Sequence, residues 1–405
     1  MNILLVNHYA GSPVLGMEFR PYYLGREWVR SGHKVMIIGG SYSHLRKQQP
    51  TAESETIEGI KYKWIPLKPY NGNGIGRIRS MFDFVRKLRY SYKKFLGDFK
   101  PDIVIASSTY PLDIYPCKHI ADHYKAKLVY EVHDLWPLSP MELGGYSKHH
   151  PFIMVMQAAE DYCYRHADKV VSLLPAALPH MIERGMNPNK FVYIPNGFDP
   201  DEWRDNAVPS ENIAKTIARL KQEGKFIVMY AGGHAISNAL DFFLDAMKQL
   251  RDTNIIAVMI GKGQEKARLS NRIKEESIEN VMMFEAVRKD EIPAVLALAD
   301  CLYIGWKKNP LYRFGICPNK LFDYMMAGKP IIHSVATPND WVADSQCGIS
   351  IEAENANALV EAILSMKSLT REKRTEMGLR GTEFCKKHFK YSDLAKHYCD
   401  MIINE

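Results

Sequence analysis

The chain has 405 residues, of which 46% are hydrophobic and 24% are charged, and its formal net charge is +7. This composition is typical of globular proteins, and the length predicts two or three domains. The seven cysteines are widely spread without a CxxC pair, which argues against a disulfide framework and a zinc site. No apolar run approaches the roughly 20 residues that span a bilayer, and no signal-peptide pattern opens the chain. We therefore expect a cytosolic protein with a mild attraction for anions and no nucleic-acid partner.

Short apolar runs alternate with helical patterns along the whole chain. They predict strands at residues 3–6, 35–38, 103–106, 128–130, 170–172 and 192–194, and then at 226–230, 255–260, 281–284, 302–304, 331–333 and 349–351. This alternation is typical of parallel sheets covered on both faces. The turn-rich stretch 194–210, with Asn196-Gly197 and three prolines, separates two sets of similar size. We predict an α/β fold with two doubly wound Rossmann-like domains, 1–200 and 201–385, facing each other across a cleft. A C-terminal helix at 386–405 should pack back on the first domain.

Residues 77–94 combine apolar side chains at helical spacing with seven basic side chains. The pattern predicts an amphipathic helix with a basic outer face. Such a face is either an ordinary solvated surface or a contact for an anionic membrane. The residues that we expect to make this contact are Arg86, Lys87, Lys93 and Lys94.

Two ionisable residues, His133 and Asp134, follow the strand at 128–130 directly. Ligands of open parallel sheets bind at the carboxyl ends of strands, so this pair is either chemically active or part of a capped turn. The loop after the first strand, 7–21, contains Gly16, which permits close backbone approach, and Arg20, which lies where the next helix begins. Helix amino termini favour phosphate, so this loop is a candidate for binding one.

A second polar loop follows the strand at 302–304 and opens through Pro318 and Asn319 into a short helix. A lysine in its first turn, Lys320, can neutralise a diphosphate, and Asp323 can accept hydrogen bonds from a ribose diol. Neither this loop nor the first one matches the P-loop or GxGxxG patterns, so ATP and dinucleotides are poor candidates as ligands.

Seven segments of the chain occur in the order found in glycosyltransferase family 4. They are GREWVRSGHKVMIIGG, EVHDLW, VYIPNGFD, YAGGHAISNALDFFLDAM, IGKGQEK, IPAVLALAD and NKLFDYMMAGKPII. The chain resembles this family of retaining GT-B enzymes, which use nucleotide sugars. Within it, the sequence is similar to the N-acetylfucosamine-type transferases of bacterial capsule and O-antigen synthesis.

The resemblance implies roles for the candidate residues. His133 would lie beside the donor sugar, with Asp134 orienting its loop, and Gly16 would let the first loop close over the donor phosphates. The diphosphate would be bound by Pro318, Asn319 and Lys320, and Asp323 would bind the ribose in place of the usual glutamate. The resemblance implies neither a metal nor another cofactor, because the UDP-sugar is a substrate.

Three positions depart from the family pattern. Gly315 stands where many members have the first glutamate of a pair, and the usual arginine and lysine that bind the diphosphate align with Gly233 and Asn238. We still expect Gly233 to lie in the donor-binding site. The residue that we expect to supply the missing positive charge is Lys320, with Arg313 as the second candidate. Two alternatives stay open. A GT-B-like sugar-nucleotide epimerase would share the domains and the nucleotide, and the departures motivate a non-catalytic sugar-nucleotide-binding subunit of a glycan-assembly complex.

The main prediction is therefore a retaining glycosyltransferase of bacterial surface polysaccharide synthesis. It would move a sugar, such as an N-acetylated deoxyhexosamine, from a UDP-sugar to a lipid-diphosphate-linked or glycan acceptor. Because such a lipid cannot leave the bilayer, we expect the protein to associate peripherally with the inner face of the membrane.

Overall fold

The structure is a computed structural model that describes residues 1–16, 18–72, 74–203 and 208–403. The chain forms two compact units, one of residues 1–196 together with 391–405, and the other of residues 197–390. The change of unit after Asn196 lies in the turn-rich stretch 194–210, of which residues 204–207 lie outside the described residues. The predicted limit at 385 lies within a helix that continues to His388.

The first unit is an eight-stranded sheet with helices on both faces. Its elements are β1 (Asn2–Val6), α1 (Arg20–Arg30), β2 (Lys34–Gly40), β3 (Ser54–Ile57), β4 (Ile60–Ile65), α2 (Ile75–Leu96), β5 (Ile103–Ala106), α3 (Ile114–Tyr124), β6 (Lys127–Val132), α4 (Leu138–Gly144), α5 (Pro151–His166), β7 (Lys169–Ser172), α6 (Leu178–Glu183) and β8 (Phe191–Tyr193). The strand order is β3-β4-β2-β1-β5-β6-β7-β8, and only the β3–β4 pair is antiparallel within the described residues. Neighbouring β1 and β5 connect to opposite sides of the sheet, which makes their carboxyl ends a topological switch point.

The second unit has a six-stranded, wholly parallel sheet in its described residues. Its elements are α7 (Glu211–Gln222), β9 (Phe226–Ala231), α8 (Leu240–Gln249), β10 (Ile255–Ile260), α9 (Lys266–Glu275), β11 (Val281–Phe284), α10 (Ile292–Ala297), β12 (Cys301–Gly305), α11 (Asn319–Met326), β13 (Ile331–Val335), α12 (Trp341–Asp344), β14 (Gly348–Glu352), α13 (Ala356–Ser368) and α14 (Arg371–His388). The order β11-β10-β9-β12-β13-β14 is the doubly wound Rossmann arrangement, with its switch point between β9 and β12.

Alternate residues of the central strand β9 enter two separate cores. Ile227 and Met229 belong to one apolar cluster, and Val228 and Tyr230 belong to another. Because successive side chains of a strand point to opposite faces, both faces of this sheet are covered. The prediction of two doubly wound Rossmann-like domains is confirmed.

The last described helix, α15 (Tyr391–Ile403), packs on α1 in the first unit. The Trp28 indole nitrogen donates a hydrogen bond to the carbonyl of Ala395 at 3.0 Å, and the rings of Tyr23 and Tyr391 are stacked 4.7 Å apart. These contacts explain why the end of the chain belongs to the first unit.

None of the described helices is long and apolar enough to cross a membrane. The predicted basic amphipathic segment is helix α2, which buries Met81, Phe84 and Leu88 and exposes most of its basic side chains.

Candidate functional site

Lys320 lies in the first turn of α11, at the switch point of the second sheet. Its ammonium nitrogen is 2.5 Å from the Asn238 Oδ1 atom and 3.1 Å from the Tyr230 hydroxyl. The same nitrogen lies 4.9 Å from the ring centroid of Tyr230 and 5.6 Å from that of Trp306. Among the described residues, no carboxylate lies within ion-pair distance of it. The described part of the site therefore contains a lysine with polar and aromatic neighbours and without a counter-ion.

Burial shifts the protonation of this lysine. Desolvation lowers the pKa of Lys320 to about 7, because removing water disfavours the ammonium form. An anion at this position would replace the lost hydration and favour the charged form. The arrangement suits a phosphate group, which combines negative charge with several acceptor oxygens.

Two of the three positions that depart from the family pattern, Gly233 and Asn238, build the scaffold around Lys320. The Gly233 carbonyl accepts hydrogen bonds from the Tyr230 hydroxyl at 2.6 Å and from Asn238 Nδ2 at 2.8 Å. Asn238 thus bridges the Gly233 backbone and the lysine. A Cβ atom on Gly233 would meet nothing within 4 Å, so packing does not require glycine there.

The loop containing Gly233 is fixed by the loop after β10. A Cβ on Gly261 would lie 1.9 Å from the Gly232 oxygen, and a Cβ on Gly263 would lie 2.2 Å from the His234 oxygen. Only glycine permits this approach of the two backbones. The His234 amide donates to the Lys262 carbonyl at 2.9 Å, which completes the contact.

Asp323 follows Lys320 by one helical turn and is partly buried. Its carboxylate has no hydrogen-bond partner among the described residues. Burial raises the pKa of Asp323 to about 7, against the smaller opposing effect of Lys289. Its oxygens therefore have hydrogen-bonding capacity to spare, and the ribose-binding role of Asp323 stays a prediction.

The other predicted residues of this region surround the start of α11. Pro318 is the N-cap, Asn319 is the first helical residue, and no side chain caps the helix. Arg313 is exposed, donates to the Pro310 carbonyl at 2.6 Å and lies over the Phe314 ring at 4.3 Å. The donor-binding roles of these three residues stay predictions.

His133, in the first unit, is held through one ring nitrogen. Its Nε2 atom lies 3.0 Å from the Ser107 hydroxyl and 3.2 Å from Glu131 Oε1. Ser107 donates its own proton to Glu131 at 2.9 Å, so both partners act as acceptors toward the ring. The Nε2 atom therefore carries the proton, and Nδ1 is the nitrogen left for a ligand.

Glu131 favours the protonated form of His133. Desolvation lowers the pKa of His133, but the hydrogen bond and the attraction of Glu131 outweigh it and raise the pKa overall. Burial likewise opposes ionisation of Glu131, and the charges of Arg20 and His133 overcome it and lower its pKa. The pair therefore favours the protonated form of His133.

The contacts of Ser107, His133 and Glu131 are not those of a nucleophilic triad. In such a triad the serine and the carboxylate bind different nitrogens of the histidine. Here both contact Nε2, and Ser107 is fully buried. The group is suited to presenting a cationic histidine rather than to activating a hydroxyl.

The remaining predicted residues of the first unit have the following positions. Asp134 is exposed and its carboxylate has no hydrogen-bond partner among the described residues. The contacts that orient the His133 ring are therefore those of Glu131 and Ser107.

Arg20 is 3% exposed, pairs with Glu131 at 3.2 Å and donates to the carbonyls of residues 194 and 195, which gives it a structural role. Gly16 has a φ of +102°, and a Cβ there would lie 2.9 Å from the Lys47 nitrogen, so the fold of its loop requires glycine.

Sequence reasoning missed Glu131, Ser107, Tyr230 and Trp306. All four lie at or just beyond the carboxyl ends of strands, which was the available signal. No group of three or more His, Cys, Asp or Glu side chains suited to a metal ion occurs within the described ranges.

Comparison with known proteins gives matches along nearly the whole chain. Residues 14–202 match the family model of Glycosyltransferase Family 4, and residues 213–384 match that of Glycosyl transferases group 1. The chain is 24% identical over 225 residues to the putative colanic acid biosynthesis glycosyl transferase WcaI of Escherichia coli K12. That alignment covers 55% of this chain and only 54% of the relative.

Two solved structures share the fold over their full length. Sucrose-phosphate synthase from Thermosynechococcus elongatus is 16% identical with a TM-score of 0.76, covering 100% of this chain and 98% of that one. Anabaena HepE, solved in complex with UDP, is 14% identical with a TM-score of 0.70, covering 100% of both chains. Because two successive family models cover both units of the fold, the chain belongs to the family 4 type of glycosyltransferase.

Proposed function

We propose that this protein transfers a sugar from a UDP-sugar to an acceptor in bacterial surface polysaccharide synthesis. The observation that carries the proposal is Lys320, a desolvated lysine at the switch point of a Rossmann-like sheet, with no counter-ion in the part of the chain that the structure describes. The diphosphate is assigned to Lys320 and the start of α11, and the ribose to Asp323. The UDP in the HepE structure supports the choice of nucleotide.

The proposed reaction proceeds with retention and needs little acid–base chemistry from side chains. The acceptor hydroxyl attacks the anomeric carbon as the bond to UDP breaks, and the departing phosphate takes the hydroxyl proton. Lys320 neutralises the charge that grows on the diphosphate, and His133 acts on the sugar through Nδ1. Positioning and electrostatic stabilisation then supply most of the rate.

The polysaccharide context rests on WcaI, whose name places it in colanic acid biosynthesis. We propose a lipid-diphosphate-linked or glycan acceptor for this chain, with an N-acetylated deoxyhexosamine as the first sugar to test. The two alternatives are an epimerase and a non-catalytic binding subunit, and the departures at Gly315, Gly233 and Asn238 motivate the latter.

We propose that α2 contacts the anionic inner face of the membrane. Its outward row combines apolar residues, Ile75, Phe82 and Tyr90, that are 69%, 44% and 80% exposed, with basic ones. The basic members of this row are Arg79, Arg86, Lys93 and Lys94. Apolar and cationic side chains on one exposed face suit an interface between water and anionic lipid.

Charge reversal tests this contact. Changing Arg86, Lys87, Lys93 and Lys94 to Glu should release the protein from anionic liposomes, and high salt should do the same to the wild type. Arg86 and Lys87 both pair with Asp83, so Lys93→Glu/Lys94→Glu, which breaks no ion pair among the described residues, is the cleaner variant. Lys386→Glu/Lys387→Glu on α14 is the matched control. A wild type that never sediments with such liposomes would contradict the proposal.

A single assay separates the three functions. Purified protein is supplied with UDP-sugars, with and without a lipid-diphosphate-linked sugar, and UDP and sugar products are measured. UDP released only with acceptor identifies a transferase, whereas sugar interconversion without acceptor identifies an epimerase. Binding of UDP without any turnover identifies a binding subunit. A melting screen selects the donors, because a ligand of the native state raises its apparent stability.

A further inference from the structure

We propose that His333 and Asp340 are positioning residues that hold the Trp306 ring against Lys320 and so fix the charge of the donor site. The proposal rests on the diphosphate role assigned to Lys320 above. Neither His333 nor Asp340 belongs to the residues predicted from the sequence, and neither contacts Lys320 directly.

The three side chains form one chain of hydrogen bonds. The Trp306 indole nitrogen lies 3.1 Å from His333 Nε2, and His333 Nδ1 lies 2.8 Å from Asp340 Oδ1. An indole nitrogen can only donate, so Nε2 must accept and Nδ1 must carry the proton to the carboxylate. The chemistry of the partners thus permits one tautomer, and a doubly protonated His333 would lose the bond to Trp306.

Asp340 is itself fixed at the far end of this chain. Its Oδ1 atom also accepts hydrogen bonds from the amides of Val342 and Ala343, at 3.2 and 3.3 Å, where it caps α12. His333 is 0% exposed in the middle of β13, next to Ile304 of β12 in register. The Trp306 ring is therefore attached to strand β13 and, through Asp340, to the start of helix α12, in addition to its edge-to-face contact with Tyr312 of its own loop at 5.7 Å.

Trp306 and Tyr230 cover Lys320 with aromatic rings whose centroids lie 5.6 and 4.9 Å from its nitrogen. A ring near an ammonium has two opposed effects, since its face attracts the cation and its bulk removes water. Burial lowers the pKa of Lys320, and the two rings, 4.9 and 5.6 Å from its nitrogen, are part of what buries it. Neither ring neutralises the ammonium, and no carboxylate of the described residues lies within ion-pair distance of it, so it stays available to a phosphate.

An alternative reading is that His333 is an ordinary core residue. An apolar residue would fill that position in β13 equally well, but it would leave the Trp306 N–H without this acceptor. If His333 is only a core residue, its variants should lose stability and leave the pKa of Lys320 unchanged. The two readings can therefore be separated by the titration of the lysine.

The first experiment needs no ligand. Competitive acetylation with acetic anhydride over a range of pH, read by mass spectrometry at the Lys320 peptide, gives the pKa of this amine. We expect His333→Ala and Trp306→Leu to raise that pKa toward the ordinary lysine value, and His333→Gln, which keeps one acceptor and one donor, to restore it in part. Trp306→Phe serves if His333→Ala does not fold, because it removes only the N–H and part of the ring. An unchanged titration of Lys320 in folded His333 and Trp306 variants would overturn the proposal.

The second experiment compares ligands with and without phosphate. Affinity for UDP should fall severalfold in His333→Ala, whereas affinity for uridine should stay as in the wild type. Equal losses for both ligands would show general damage and would also overturn the proposal. A wild type that binds neither ligand would instead contradict the proposed donor site, and the ligand-free titration would still decide the role of Trp306.

Discussion

Binding of UDP should be coupled to uptake of a proton by Lys320. The free lysine has a pKa of about 7, so at pH 8 about nine tenths of the molecules hold it uncharged. A diphosphate stabilises the ammonium and raises its pKa in the complex. We therefore expect an uptake of about 0.9 proton from Lys320 for each UDP bound at pH 8.

The other ionisable groups at the site barely change the number of protons taken up per UDP at pH 8. Asp323, with a pKa of about 7, is already about nine-tenths ionised, so ribose binding would release only about 0.1 proton. The pKa of His234 is about 4, so it stays neutral, and the terminal phosphate of UDP is fully ionised. The net uptake is then about 0.8 proton. It follows that affinity for UDP falls nearly tenfold for each pH unit above 8.

Calorimetry in buffers of different ionisation enthalpy measures the uptake as a slope. Lys320→Met should abolish it and weaken binding at pH 7 about tenfold or more, since a hydrogen bond to a charged group contributes about 1.5–3 kcal/mol. Lys274→Met, on the exposed face of α9, is the matched control and should leave the slope unchanged. A wild-type slope near zero at pH 8, or a slope that survives in Lys320→Met, would refute the reasoning.

Three further outcomes follow from the structure. His133→Ala should reduce turnover much more than affinity for UDP, because His133 is proposed to act on the sugar. Near-normal turnover in this variant would instead indicate that His133 is only part of a capped turn. Asp323→Ala should weaken UDP about tenfold in calorimetry and leave binding of inorganic diphosphate unchanged, since only the ribose contact is lost. Gly263→Ala should lower the free energy of unfolding by about 1–3 kcal/mol in urea titrations, because its Cβ would lie 2.2 Å from the His234 oxygen, whereas Gly233→Ala meets nothing within 4 Å and should be neutral.

The sequence predicted the strands well where they are short, apolar and buried on both faces. The hairpin of β3 and β4 was missed because the strands were predicted from continuous apolar runs, whereas Lys61 and Lys63 alternate with the apolar residues of β4, which is the pattern of a half-buried strand. Its turn, Glu58-Gly59, has positive φ at both residues, as a type I′ turn requires, but lacks the Asn-Gly or Asp-Gly pair that normally indicates one.

The candidate site was only partly predictable, because its supporting contacts join residues that are distant in sequence. Lys320 and Asp323 could be found from their place at the start of one helix. The contact of His333 with Trp306 depends on the adjacency of β12 and β13, which no local pattern reveals. Asp134 was expected to orient the loop of His133 and Glu131 was overlooked, although residues two apart share a face along an extended chain and adjacent residues do not.

The most direct test of the donor site is a structure of the full chain bound to UDP. We expect a diphosphate oxygen about 2.7–3.1 Å from Lys320 Nζ, and both ribose hydroxyls within hydrogen-bonding distance of the Asp323 carboxylate. A nucleotide whose phosphates lie elsewhere, with Lys320 Nζ still bonded only to Asn238 and Tyr230, would contradict the account.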